Sequence, residues 1–131
     1  MIRTLKIGEA GELSFTVDTS HTIDFDDLGM PEVLSTPTLV WYLEHSAREA
    51  LLPLFESGEA CVGVHLDVQH LAATPLGHKV RCRAKVIHID GRSITFQVEA
   101  HDEQELIARG THKRAVVEAV RFSKSVARKQ K

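Results

Sequence analysis

The chain has 131 residues, 43% of them apolar and 26% charged, with a formal net charge of −2. That profile belongs to one ordinary globular domain able to bury a core without metal or disulfide staples, which sets disorder aside. It offers no broad attraction to nucleic acid, no apolar run of the ~18 residues a membrane span needs, and no apolar stretch of secretory-signal type in "MIRTLKIGEAGELSF".

In chain order, Leu13, Phe15 and Val17 alternate with polar residues and predict a short strand over 12–17. The stretch from there to about Leu34, including "DFDDLGMPE", reads as loop. From Thr38 to about Phe55, Leu39, Leu43, Ala47, Ala50, Leu51 and Leu54 recur at helical spacing and fill an arc of roughly 120°. Ser35 or Thr36 is placed to cap this helix, and Pro37 suits its first position, where a missing N–H costs nothing.

Strands follow with few interruptions. Val62, Val64, Leu66 and Val68 alternate with Gly63, His65, Asp67 and Gln69, and "AATPLG" then makes a turn. Val80, Cys82, Ala84 and Val86 form a second alternating run. "DGR" at 90–92 predicts a hairpin, and Ile94, Phe96, Val98 and Ala100 continue beyond it. A last strand is expected from about Leu106 to Val117. The final eleven residues hold five basic side chains and no acid. That tail, about 121–131, is readable either as an anion-binding element or as a solvated, frayed terminus. Cys61 and Cys82 lack metal-ligand spacing, and reduced thiols in a cytoplasmic protein are the simplest expectation.

One strand, one long helix and an antiparallel run of half-buried strands predict a single α+β domain in which a curved sheet wraps the helix, a hotdog architecture. The free edges of such a sheet favour edge-to-edge pairing into a dimer.

Five residues stand out chemically. Glu44 lies at the rim of the apolar helix arc, where partial desolvation makes a carboxylate a base or nucleophile; an i,i+4 pair with Arg48 is the plain alternative. His70 falls by strand parity on the face of Val62, Val64, Leu66 and Val68, placed either for proton transfer or as a satisfied strand-end histidine. Thr36 is an N-cap or a hydroxyl at a helix N-terminus that could hold an oxyanion. Gly63, inside a strand, implies a bulge or a close approach by a ligand. Arg114 has the parity of Leu106, Ala108 and Val116, so it needs an anionic partner if that face is inner, and is simply exposed if the parity slips. The remaining histidines, including His65, His88 and His112, show no metal-site spacing, and neither a phosphate loop nor a nucleophile elbow is present.

The segments "PEVLSTPTLVWYLEHSAREALLP", "GVHLDVQHLAATPLG" and "EAHDEQELIARGTHKRAVV" resemble the fluoroacetyl-CoA thioesterase family of hotdog proteins, over roughly Ser20 to Phe122. The resemblance implies a Thr36/Glu44/His70 catalytic triad, substrate contacts at Gly63 and Arg114, and a homodimer with the site near the subunit interface. It implies hydrolysis of an acyl-CoA with no cofactor, no metal, no nucleic acid and no membrane. The two phenylalanines that gate the fluoroacetyl-specific member are matched here by Asp27 and Met30. A short or medium acyl chain is therefore expected rather than fluoroacetyl. Arg114 and the basic tail are the cations available for CoA phosphates. Two rivals share the pattern: a hydratase or dehydratase on the same fold, and an acyl-CoA binding module without turnover.

Overall fold

The computed structural model describes residues 4–24 and 29–130. A strand, β1 (Ala10–Thr16), leads through a short 3-10 turn at Thr19–His21 to the long helix α1 (Thr36–Leu51), which runs on into a 3-10 turn at Leu52–Leu54. Four strands follow, β2 (Glu59–His70), β3 (Lys79–Asp90), β4 (Ser93–His101) and β5 (Leu106–Glu118), and a helix, α2 (Ala119–Ala127), closes the chain. The strands form one curled antiparallel sheet in the order β1-β3-β4-β5-β2, with α1 packed against it. The basic tail, readable as an anion-binding element or a frayed terminus, follows β5 as the exposed helix α2, whose first residue Ala119 donates its N–H to the Gly58 carbonyl at 2.8 Å.

Helix α1 starts where the chemistry predicts. Ser35 is the N-cap, its hydroxyl accepting from Thr38 N at 3.3 Å, and Pro37 occupies the first turn. One face of α1, comprising Leu39, Leu43, Ala47, Ala50 and Leu51, is buried against Val80, Cys82, Ala84 and Val86 of β3 and Ile94, Phe96 and Val98 of β4. The helix approaches β1 so closely that a Cβ on Gly11 would sit within 2.7 Å of Ala50 N, so no side chain fits there.

The alternation predicted for β2 breaks. Gly63 pairs with Arg114 but His65 pairs with Lys113, so Val64 is an extra residue in the ladder. A one-residue bulge inverts parity. Cys61 and Gly63 face the helix before it, and Val68 and His70 after it. Val62 and Val64 therefore do not share a face with His70. Val64 is instead 57% exposed.

Candidate active site

The first turn of α1 lies beside the end of β2. Because Ser35 caps the helix, the Thr36 hydroxyl is free for another partner, and its Oγ1 lies 2.8 Å from His70 Nδ1. His70 Nε2 is shut off from solvent and has no hydrogen-bond partner among the described residues. Burial pushes the imidazole pKa below its ordinary value, opposed by a smaller contribution from the Ala72 backbone. A neutral ring with a hydroxyl on one nitrogen has the chemistry to exchange a proton. A hydroxyl-rich cleft of about 610 Å³ opens from Thr36 past Ser35, Ser20, Thr19 and Thr22.

Two turns further along α1, Glu44 meets the other half of β2. Its Oε2 accepts from Arg114 Nη1 at 3.2 Å, an ion pair in which the arginine side chain is 8% and the glutamate 39% exposed. No pair with Arg48 forms among the described residues; Arg48 points to solvent on the exposed face of α1. The guanidinium is held on every side. Nε donates to Cys61 Sγ at 3.0 Å, Nη2 to the Cys61 carbonyl at 3.4 Å, and Nη1 also contacts His112 Nε2 at 3.2 Å. His112 is buried and its Nδ1 lies 2.8 Å from the His65 carbonyl. Gly63 is the floor of this cluster: a Cβ there would meet Glu44 Oε2 at 3.2 Å and His112 Cε1 at 3.3 Å. The bulge expected at Gly63 falls on the next residue, Val64, and what comes close to the glycine is the Glu44 carboxylate.

The five residues singled out from sequence thus fall into two groups. Thr36 and His70 touch each other; Glu44, Gly63 and Arg114 touch one another. Eight helical residues, about 12 Å of rise, separate Thr36 from Glu44, and no hydrogen bond or ion pair among the described residues joins the groups. Of the two positions matched to the aromatic gate, Met30 is 51% exposed and Asp27 lies outside the described residues. Among the described residues no group of three or more potential metal ligands occurs, and no helix is long and apolar enough to cross a membrane.

Residues 17–120 match the family of fluoroacetyl-CoA-specific thioesterases. The chain belongs to this family. The fluoroacetyl-CoA thioesterase of Streptantibioticus cattleyicolor is 37% identical over 95% of this chain and 94% of its own length. A solved structure of the fluoroacetyl-CoA thioesterase FlK superposes with a TM-score of 0.88 at 32% identity, covering 95% of this chain and 97% of that one. A thioesterase superfamily member from Thermus thermophilus gives 0.89 at 27% identity, covering 98% and 95%. The fold is accordingly that of the hotdog thioesterases, and this family member is a thioester hydrolase acting on acyl-CoA.

Sequence reading missed His112 and Cys61 as parts of the site. His112 lacks metal-ligand spacing, yet it stands two residues before Arg114 in the same strand and so shares its face. Cys61 could not be found by parity without knowing of the bulge. The other cysteine, Cys82, is a core residue whose thiol is pushed up to about 12 by burial and is chemically quiet.

Proposed function

We propose that this thioesterase hydrolyses a short or medium acyl-CoA in the cytoplasm as a single-domain homodimer, with Thr36, Glu44 and His70 as its reacting groups and Gly63 and Arg114 at the acyl end. The observation that carries the reading is Glu44. One carboxylate oxygen, Oε2, is fixed on buried Arg114 and lies over Gly63, while Oε1 has no protein hydrogen-bond partner among the described residues and is left for the reaction. Glu44 supplies the attack on the thioester carbonyl, directly to form an anhydride or by taking a proton from water. As the C–S bond breaks, the Thr36–His70 pair delivers a proton to the departing CoA sulfur. Water enters overall, and a free acid and a thiol leave. Among the relatives, a FlK variant is described in complex with acetyl-CoA. The hydroxyl-lined cleft at Thr36 suits the amides of a pantetheine arm, and an exposed methionine at a gate position suits acyl groups larger than fluoroacetyl. No cofactor is needed for this chemistry.

The homodimer reading rests on the β2 edge. Val64 and Leu66 are exposed on it, at 57% and 41%, and an unpaired edge of this kind invites a second copy. Antiparallel pairing of two β2 strands about an axis between Leu66 and Asp67 would set Gly63 of one protomer opposite His70 of its partner. The Glu44 group of each protomer would then face a Thr36–His70 pair across the interface.

Thiol release from a panel of acyl-CoA esters tests the reading. Glu44→Gln and His70→Ala should each lose most of the rate. Mixing the two variants should recover about a quarter of wild-type activity, because half of the dimers regain one intact site of two; no recovery would place both groups in one protomer. Binding without thiol release would favour the non-catalytic acyl-CoA binding module, and conversion of an enoyl ester without thiol release would favour the hydratase.

A further inference from the structure

We propose that His112 is a positioning residue, a neutral imidazole that orients the Arg114 guanidinium and, through it, the Glu44 carboxylate. The inference rests on Glu44 being the attacking group.

The protonation state follows from its two contacts. The His65 carbonyl, 2.8 Å from Nδ1, only accepts, so Nδ1 carries the proton. Arg114 Nη1, 3.2 Å from Nε2, only donates, so Nε2 presents its lone pair. Both contacts are satisfied together by the neutral Nδ1–H tautomer and by no other form of the ring. Burial favours the same neutral form most strongly and lowers the pKa overall; the His65 backbone opposes it, the neighbouring guanidinium adds a smaller push the same way, and Glu44 a smaller one against.

The consequence lies in the geometry of Nη1. That nitrogen has two protons and two partners, Glu44 Oε2 and His112 Nε2, both at 3.2 Å. A planar guanidinium whose second Nη1 proton is tied to a fixed ring cannot rotate its first away from the carboxylate. His112 is fixed by its own burial at 1% exposure, by the His65 carbonyl, and by Phe96, whose ring lies near-parallel with centroids 6.4 Å apart. Glu44, at the other end of the chain of contacts, is more than a third exposed and has no such enclosure. The order of the site therefore runs outward from the buried histidine to the reacting carboxylate. A misplacement of about 1 Å at a reacting group is enough to cost on the order of 100-fold in rate.

The test compares His112→Leu, which removes the acceptor, with His112→Gln, whose amide offers both an acceptor for Arg114 and a donor for the His65 carbonyl. Thiol release is measured beside Glu44→Gln. The expected result is a 10- to 100-fold fall in kcat for His112→Leu with KM within about threefold, and recovery to within about fivefold of wild type in His112→Gln. Equal kcat in wild type and a folded His112→Leu overturns the proposal, as does an equal loss in both variants at unchanged melting temperature. Should His112→Leu not fold, histidine 15N NMR of the wild type, assigned with His112→Gln, decides the matter: an Nε2–H tautomer or an imidazolium at neutral pH overturns it. If Glu44→Gln keeps full activity, the reading of Glu44 itself fails, whatever the His112 variants do.

Discussion

Strands β4 and β2 flank the same strand, β5, and meet opposite fates. On β4, Ile94, Phe96, Val98 and Ala100 are all fully buried under α1 in strict alternation. On β2 no residue is fully buried; the strand carries a bulge and an inner-face glycine, beside the ion pair of Glu44 from α1 with Arg114 from β5, where β4 carries apolar packing. The comparison teaches where this domain keeps its stability and where it leaves polar groups accessible. Full burial under α1 stops at β2, and the cluster of Glu44, Gly63 and Arg114 occupies the opening. A carboxylate placed over Phe96 would lose its charge to desolvation; over Gly63 it stays beside a guanidinium and within reach of a ligand.

Substitutions on the two strands should separate those roles. The largest expected effect is Glu44→Gln at the β2 opening, a fall in thiol release of about 1000-fold, within the range of a lost acid–base or nucleophilic group, with an unchanged urea midpoint. A matching loss of stability would mean that Glu44 is a structural ion-pair member first. On the β4 side, Val98→Ala, buried away from His112, should destabilise by about 2 kcal/mol in urea melts while leaving kcat per folded site near wild type. The comparison blurs if it alters KM or kcat directly. Gly63→Ala should do the reverse. The added methyl crowds Glu44 Oε2 and His112 Cε1 at 3.2 and 3.3 Å, and about a tenfold loss of activity is expected with less than about 1 kcal/mol of stability change. Leu66→Lys, on the exposed edge, should shift sedimentation toward monomer with little effect on the fold of each chain.

The smallest effect is on pH. His70 and His112 both have pKa values lowered by burial. Above the unfolded pKa of ~6.5 both states hold these rings neutral and native stability is undiminished. As pH falls below that value the unfolded chain takes up protons that the native rings resist, so stability declines. The decline should be shallower in His112→Gln than in wild type when urea midpoints are compared across acid pH, and an identical slope would mean that His112 does not titrate in this way.

The sequence by itself determined the class of structure and most of its elements. The helix over Leu39–Leu51 and the strands carrying Val80–Val86 and Ile94–Ala100 were legible because their apolar periods are uninterrupted. Thr36, Glu44, His70, Gly63 and Arg114 were legible partly as residues out of keeping with their positions and partly through family likeness. Their grouping was not. Tertiary structure decided that Ser35 rather than Thr36 caps the helix, that Glu44 pairs with Arg114 seventy residues away rather than with Arg48 four away, and that the face of β2 switches at Val64. The physical reason is common to all three. Periodicity is a local property, whereas the choice among competing hydrogen-bond partners, and the position of a bulge, depend on which backbone and which charge the fold brings alongside. His112 shows the same limit: its place in the strand was written in the sequence, but the carbonyl and guanidinium that fix its tautomer came only with the neighbouring strand.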